Sequence, residues 1–252
     1  MNICVFDTET VSLEKPFTYN IGYTIFNTET KVKEVRRDFI VEQIWHNTPL
    51  FSTAYYADKR EIYVSAMRGK KAFMEKYGYI TRQMYRDFKE YKVEIGYAYN
   101  SSFDERVFLF NCDWFRCINP FDNVKVSDIR GFAHKFIVDD DYKKFCDEHG
   151  YYTESGNYST TAEIVYRYIT GNTDFIEEHT ALSDAEIELE ILRYCVDKGA
   201  EWDGDYKAVN SFPKDGKIFK VFLNKKEVLS EGFTKKRMNK EKTEVYLTGK
   251  GE

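Results

Sequence analysis

Three apolar segments separated by polar residues occupy the first 41 residues of the chain. The first is Ile3-Cys4-Val5-Phe6, a short run that ends abruptly in polar residues, as is typical of a strand buried on both faces. The next two run from Tyr19 to Phe26 and from Val32 to Val41, and turn-forming residues at 27–30 separate them. This pattern predicts an antiparallel meander of three strands, and therefore a fold built around a sheet.

Strand and helix patterns alternate in the middle of the chain. The predicted elements are helices at Met67 to Tyr77 and Tyr79 to Tyr91 with a break at Gly78, strands at Glu94 to Tyr99 and Val124 to Ser127, and helices at Phe103 to Asn111 and Asp128 to Val138. An alternation of this kind indicates an α/β protein.

Two capping boxes predict further helices before residue 200. The first is Thr160-Thr161-Ala162-Glu163, which predicts a helix to Ile169 with Gly171 just past its end. The second is Ser183-Asp184-Ala185-Glu186, which predicts a helix through Val196 that Gly199 ends. With Ser183 as the N-cap, Asp184 would occupy the first helical position.

Residues 42–64, called the insert below, show no regular periodicity and are rich in aromatic side chains. These aromatic residues are Trp45, Phe51, Tyr55, Tyr56 and Tyr63. A loop of this length is either a surface that contacts substrate or a loop packed against the core, and the sequence leaves both interpretations open.

The end of the chain differs from the rest in charge and in pattern. From Lys214 to Glu252 there are 11 basic and 6 acidic residues, a net charge of +5; since the whole chain carries −5, residues 1–213 carry −10. Helical periodicity disappears after Trp202, and Ile218 to Leu223 and Val245 to Leu247 look like strands. We predict a main domain at residues 1–200 and a small, basic, β-rich appendage at 201–252.

The amino terminus has neither a basic flank nor a long apolar stretch, and no apolar run approaches the roughly 20 residues that span a bilayer. We therefore expect a cytoplasmic protein that does not associate with membranes. The five cysteines form no Cys-x-x-Cys pair, which favours reduced thiols over a disulfide framework or a structural zinc site.

Acidic residues and a histidine stand at three places that could carry chemistry. Asp7 and Glu9 are two residues apart after the first run, so both carboxylates project to one side of an extended chain. Asp104 follows the fourth predicted strand, where open sheets bind ligands. His179 lies five residues before Asp184. Read singly, each has an ordinary interpretation, namely a solvated turn, an acid stabilised by a helix dipole, or a surface histidine. Ordinary structural roles are also expected for the other histidines, His46, His134 and His149.

Together, the three segments resemble the DEDD superfamily of 3′-5′ exonucleases, in the DEDDh branch, which has a histidine in its third motif and includes ribonuclease T, oligoribonuclease and the proofreading epsilon subunit of bacterial DNA polymerase III. The matching segments are Phe6-Asp7-Thr8-Glu9-Thr10, Asn100 to Asp104, and His179 to Ala185. Their order and approximate spacing agree with the family over residues 1–200. Tyr99 departs from it, since several relatives have histidine there, and the insert and the basic end have no counterpart.

The resemblance implies a ribonuclease H-like fold, a mixed five-stranded sheet with its first three strands antiparallel and helices on its faces. It implies that Asp7 bridges two Mg²⁺ or Mn²⁺ ions and that Glu9 and Asp184 complete one of the two sites. Asp104 would support this cluster, and His179 would take the proton from the attacking water. The candidate substrate-binding residues are Thr8, Thr10, Asn100 and Phe103.

The implied activity is release of 5′-mononucleotides from the 3′ ends of single-stranded DNA, in phage or bacterial DNA replication or repair, with a DNA polymerase or replication protein as a candidate partner. An acidic body repels nucleic acid unless cations sit among its carboxylates, which fits a metal-dependent reaction. Two alternatives stay open: an RNA exonuclease or oligoribonuclease, and a non-catalytic module that binds nucleic acid or a polymerase. The appendage is either a solvated subdomain or a nucleic-acid-binding element.

Overall fold

The three strands predicted at the start of the chain form the middle of a mixed sheet. The computed structural model describes residues 1–209 and 212, and the backbone of residues 218–223 and 226–231. The strands of the sheet are β1 (Asn2–Thr10), β2 (Thr18–Asn27), β3 (Lys33–Val41), β4 (Phe73–Glu75), β5 (Val93–Ala98) and β6 (Lys125–Asp128). The helices that accompany them are α1 (Glu42–Trp45), α2 (Thr48–Phe51), α3 (Arg60–Arg68), α4 (Tyr77–Glu90), α5 (Ser101–Phe115), α6 (Ile129–Phe136), α7 (Asp140–His149), α8 (Ala162–Thr170) and α9 (Ala181–Asp197).

The sheet has the strand order β4-β3-β2-β1-β5-β6. Antiparallel pairing joins β1 to β2 and β2 to β3, which confirms the meander. Parallel pairing adds β5 beside β1, β6 beside β5, and β4 beside β3. The α/β class is confirmed, but the expected count of five strands is wrong because β4 adds a sixth at one edge.

Two of the predictions around β4 are also wrong. The helix predicted from Met67 to Tyr77 is absent; α3 ends at Arg68, and Lys70 takes a left-handed φ of 55°, which turns the chain into β4. A three-residue strand is too short to show a period, so the helical spacing around it was misleading. Gly78, predicted to break the helix, lies in the first turn of α4. The rest of that helix was predicted to within two residues.

The caps of the last two helices differ from the prediction. Thr161, not Thr160, is the N-cap of α8, and its side chain accepts a hydrogen bond from the backbone N–H of Ile164. Helix α9 begins at Ala181 with Thr180 as N-cap, so Ser183 lies inside the helix and does not cap it. Asp184 is therefore in the first turn of α9 but is not its first residue. The sequence patterns gave no indication of α7.

The insert is more regular than its sequence indicates. It contains α1, α2, a short 3-10 helix at Ala57–Lys59 and the first residues of α3. Its side chains Trp45, Phe51 and Tyr63 are buried, whereas Tyr55 is 87% exposed. Packing against the core thus accounts for most of its aromatic content.

Apolar side chains from successive residues of β1 enter two separate cores. Cys4 and Phe6 pack with the insert, α4 and α5, whereas Ile3 and Val5 pack with α6, α8 and α9. Alternate residues of a strand face opposite sides of a sheet, so β1 is covered on both faces, which explains its uninterrupted apolar run. The acidic end of β1 lies between these two cores.

The first residues of the predicted appendage lie against the main domain. Trp202 packs on Phe26, and Tyr206 packs edge-on against Phe132 of α6. The strand predicted at 218–223 is present as β7 (Ile218–Leu223) and pairs antiparallel with β8 (Lys226–Glu231). The strand predicted at Val245 to Leu247 lies outside the described residues. Within the described part of the chain, every helix is too short or too polar to traverse a bilayer.

Candidate active site

The first acidic pair lies within β1 rather than after it. The strand was predicted to end at Phe6, but it continues to Thr10, with Asp7 opposite Gly22 and Glu9 opposite Asn20 of β2. Pairing with β2 keeps this polar stretch extended, and the period of two then directs Asp7 and Glu9 to the same face of the sheet.

Two contacts on β2 bring α9 and its preceding loop to that face. A Cβ atom at Gly22 would clash with the backbone of Ala181 and Leu182, so the absence of a side chain lets the start of α9 touch the sheet. The Asn20 Oδ1 atom accepts a hydrogen bond of 2.8 Å from the Ala181 N–H. Because Gly22 is the strand-pairing partner of Asp7, this close approach places the third motif next to the first.

The second motif reaches the site from the other side of β1. Helix α5 starts just after β5, and the Thr8 hydroxyl donates a 2.6 Å hydrogen bond to Oδ1 of Asp104, which is 2% exposed. Asn100, in the left-handed region at the start of this helix, donates its N–H to the Asp128 carboxylate of the neighbouring β6. The parallel strands β1, β5 and β6 therefore bring these polar residues to one edge.

The first and third motifs meet at ligand distance, whereas Asp7 and Asp104 are not part of that group of ligand atoms. Ligand atoms of Glu9, His179 and Asp184 all lie within 4.8 Å of one another. Asp104 is tied to β1 by its hydrogen bond with Thr8, the residue between Asp7 and Glu9, and its charge contributes to the raised pKa of Asp7. Segments separated by almost 100 and by more than 70 residues thus meet in one acidic pocket.

Burial and mutual repulsion raise the pKa values of the carboxyl groups in this pocket. For Asp184 the pKa rises to about 10, mainly because of burial and then because of the charges of Asp7 and Glu177. For Asp104 burial raises the pKa to about 7, against the lowering effect of the Thr8 hydrogen bond. The pKa of Asp7 and that of Glu9 are raised well above the usual range by the same two causes.

His179 lies in a loop before α9 and is partly buried. Its ring stacks on Tyr56, and its Nδ1 atom lies 3.6 Å from the Glu177 Oε2 atom. Burial lowers the imidazole pKa, and the positive charge of Lys59 lowers it further. The neutral imidazole that results at neutral pH has a free lone pair and can accept a proton.

Two further carboxylates belong to this pocket and were missed in the sequence. Glu177 has a pKa raised to about 7, first by burial and then by Glu163. Glu188 is buried one helical turn after Asp184, accepts the Tyr99 N–H at 3.0 Å, and has a strongly raised pKa, because of its burial and the charge of Asp7. The i,i+4 spacing from Asp184 was a usable signal for Glu188.

The predicted substrate-binding residues differ in their availability. The Thr8 hydroxyl is buried and is used by Asp104, and the Thr10 hydroxyl donates weakly to the Ser12 carbonyl at 3.3 Å. Asn100 is exposed, and Phe103 is half-buried at the start of α5. Asn100 is therefore the most exposed of the four predicted substrate-binding residues.

The donor set fits hard divalent cations. Carboxylate oxygens are the ligands that Mg²⁺ and Mn²⁺ prefer, and the pocket contains no thiolate among the described residues. The Oδ1 atom of Asp184 is buried and has no hydrogen-bond partner among the described residues. A buried carboxylate oxygen without a partner is unfavourable, and a cation would satisfy it.

Comparison with known proteins adds no identification to this geometry. A scan against protein-family models and a search of curated proteins both returned no match to the chain. The class of the site therefore rests on its residues and their arrangement.

Proposed function

We propose that the protein is a metal-dependent 3′-5′ exonuclease of the DEDDh type that hydrolyses phosphodiester bonds at the 3′ ends of single-stranded DNA. The observation that carries this proposal is the convergence of Glu9, His179 and Asp184, together with the electrostatic interaction between Asp7 and Asp104. Carboxylates that hold two cations, beside a neutral imidazole, are suited to phosphodiester hydrolysis.

The fold supports the proposal. Five of the six strands make a mixed sheet whose first three strands are antiparallel, as a ribonuclease H-like fold requires, and helices cover both faces. In this interpretation β4 and the insert are additions at one edge. Residues 1–200 form the catalytic domain in this proposal, and residues 201–252 form its appendage.

Each acid has a role in the proposed site. Asp7, Glu9 and Asp184 would hold Mg²⁺ or Mn²⁺ ions, and Asp104, held by Thr8, would support the cluster. Bound cations supply charge that activates water and stabilises the attacking and leaving oxygens of the phosphodiester. Without such charge, burial and then mutual repulsion raise the pKa values of these carboxyl groups.

His179 acts as the general base. Its lowered pKa keeps the imidazole neutral near pH 7, so it takes a proton from the water that attacks phosphorus. The bond from phosphorus to the 3′ oxygen of the preceding nucleotide then breaks, which releases a nucleoside 5′-monophosphate. The 3′-to-5′ direction rests on the resemblance of the three motifs to the family.

The substrate proposal favours DNA over RNA, and the exposed Asn100 and the half-buried Phe103 are its candidate contacts. An RNA exonuclease or oligoribonuclease is the second candidate, because aromatic stacking serves either sugar. A non-catalytic binding module is a weaker candidate, because an inactive relative would be expected to lack one of the acids or the histidine. A DNA polymerase or replication protein remains a proposed partner.

One digestion experiment tests activity, direction and sugar preference together. Matched DNA and RNA oligonucleotides, labelled at the 3′ or the 5′ end, are incubated with the protein with and without Mn²⁺. We expect cation-dependent release of a labelled mononucleotide from 3′-labelled DNA and a shortening ladder from 5′-labelled DNA, both absent in Asp7→Asn. Intact oligonucleotides with Mn²⁺ present would overturn the proposal, whereas preference for the RNA series would replace it with the second candidate.

A further inference from the structure

His179 has a backbone conformation that a histidine rarely adopts. Its φ is +54°, in the left-handed region, which L-residues with a side chain disfavour. Residues 175–180 around it form neither helix nor strand. The imidazole can occupy one place reproducibly only if contacts from outside this loop restrain it.

We propose that residues 56–63 of the insert, called the clamp below, position His179 for the proposed hydrolysis; the inference thus rests on the function proposed above. The Tyr56 ring lies parallel to the imidazole, with centroids 4.2 Å apart and planes 12° apart. The Lys59 ammonium group donates a 2.7 Å hydrogen bond to the Glu178 carbonyl oxygen. The Tyr63 hydroxyl donates a 3.1 Å hydrogen bond to the carbonyl oxygen of His179 itself.

The clamp is anchored in the core at its far end. Tyr63 is 1% exposed and packs edge-on against Tyr19 and Trp45, with centroids 5.8 Å and 5.9 Å away. The Tyr19 hydroxyl in turn donates to Glu9 at 3.5 Å. One chain of contacts therefore runs from Glu9 of the first motif to His179 of the third, and it passes through the clamp.

The contacts restrain different parts of the histidine loop. Lys59 and Tyr63 hold backbone carbonyl groups, and Tyr56 restrains the plane of the ring. Glu177 flanks the Nδ1 atom at 3.6 Å. Stacking requires an aromatic ring but no hydroxyl, so Tyr56→Phe should preserve the restraint that Tyr56→Ala removes. The clamp gives the insert a function that is positioning rather than substrate contact.

Steady-state kinetics on a 3′-end DNA oligonucleotide with Mn²⁺ tests this role. Tyr56→Ala should lower kcat about 10- to 100-fold, because a small displacement of a catalytic group costs rate, while KM changes less than about threefold. Tyr56→Phe should restore kcat to within about threefold of the parent. Tyr79→Ala, which removes a half-exposed tyrosine from α4, is the matched control. A raised KM with unchanged kcat in Tyr56→Ala would overturn positioning in favour of substrate contact.

Proton NMR of the imidazole rings tests the clamp without using activity. The chain has four histidines, so His179→Ala assigns the His179 signals by their loss. In Tyr56→Ala these signals should move downfield, because the ring current of the stacked tyrosine is removed, and in Tyr56→Phe they should not. Unmoved signals in Tyr56→Ala would overturn the clamp. If the parent cleaves no oligonucleotide, the proposed function fails, and this spectrum still decides whether the clamp holds the ring.

Discussion

The protein buries carboxylates in two places and surrounds them in opposite ways. Asp87 of α4 is 2% exposed, and its oxygens accept hydrogen bonds from the Tyr23 hydroxyl at 2.7 Å, Gln83 at 2.7 Å and Arg37 at 3.2 Å. In the acidic pocket, Asp184 is 6% exposed, one of its oxygens has no partner among the described residues, and its pKa is raised to about 10 by burial and by Asp7.

The difference separates a carboxylate that stabilises the fold from one that, in the proposed site, would bind a cation. Hydrogen bonds to both carboxylate oxygens offset the cost of burial, as at Asp87. Gathering unpaired acids opposes folding, because both desolvation and repulsion disfavour their charged forms. Such an arrangement is typical of functional sites, and five experiments test whether the two groups of carboxylates differ in this way.

The largest effect is expected from Asp7→Asn. Activity should fall about 1000-fold, since a carboxylate that would hold the cations is lost. Without cations the variant should unfold at a higher temperature than the parent, because a buried repulsive charge is removed. The exposed Asp113→Asn on α5 serves as control. An Asp7→Asn protein that is less stable than the parent in a chelator would contradict the repulsion argument.

His179→Ala should reduce turnover about 100-fold, within the usual contribution of a general base. Its melting temperature should still rise when Mn²⁺ is added, because the carboxylates remain. Differential scanning fluorimetry and single-turnover digestion measure the two effects. The ligand atoms of His179, Glu9 and Asp184 lie within 4.8 Å of one another. If Mn²⁺ no longer raises the melting temperature of His179→Ala, His179 is therefore a metal ligand instead.

Asp87→Ala should destabilise the fold by about 3 kcal/mol, because it leaves the Tyr23 hydroxyl buried without its acceptor. The partly exposed Arg37 can turn to water, which limits the loss. Chemical denaturation gives the free energy of unfolding, and Asp184→Asn is the contrasting variant, expected to be as stable as the parent or more stable without cations. An equal loss in the free energy of unfolding in Asp87→Ala and Asp184→Asn would contradict the distinction between the two sites.

Millimolar Mg²⁺ or Mn²⁺ should stabilise the parent by about 2 to 3 kcal/mol when its concentration is near 100 times the dissociation constant. The melting temperature should rise by several degrees, as measured by calorimetry at constant ionic strength. Asp7→Asn should show no such rise, whereas Asp87→Ala should show the full rise from a lower starting temperature. A melting temperature of the parent that does not change with Mg²⁺ or Mn²⁺ would argue against cation binding.

The smallest effect concerns pH and a histidine outside the pocket. His134 accepts the Val209 N–H at Nδ1 and contacts the Thr160 hydroxyl at Nε2, and burial lowers its pKa to about 4. A depressed pKa favours the neutral form in the folded state, so its contribution is complete above pH 6.5 and is lost as the pH falls toward 4. Relative to His134→Asn, which cannot titrate, the parent should lose about 2 kcal/mol between pH 7 and pH 4. Parallel pH profiles of the two proteins would contradict this role.

The acids of the pocket change the stability of the fold with pH in the direction opposite to that of His134. The folded-state pKa of Asp104 and that of Asp184 are raised, so their contribution is present below the ordinary pKa of an aspartate and is lost as the pH rises through about 7 and about 10. Comparison of His134→Asn with the parent therefore isolates the histidine from the carboxylates.

Local patterns predicted much of the fold. The apolar run of β1, the turn after β2 and the spacing in α4 act over a few residues, and the structure agrees with them. The predictions were wrong where contacts between residues distant in the sequence determine the secondary structure. Strand β4 exists because it pairs with β3, and α9 begins at Ala181 because Asn20 holds its N–H, although Ser183 offered a good local cap.

The amino-acid sequence alone identifies the groups that are available for chemistry: the acids at alternate positions of β1, Asp104, and His179 with Asp184. The presence of Glu177 and Glu188 beside them, and the contact between the insert and the histidine, depend on the tertiary fold. They depend on it because a pocket requires close approach between segments that are remote in the chain. That approach is made at Gly22, where the sheet has no side chain and α9 comes into contact with β2.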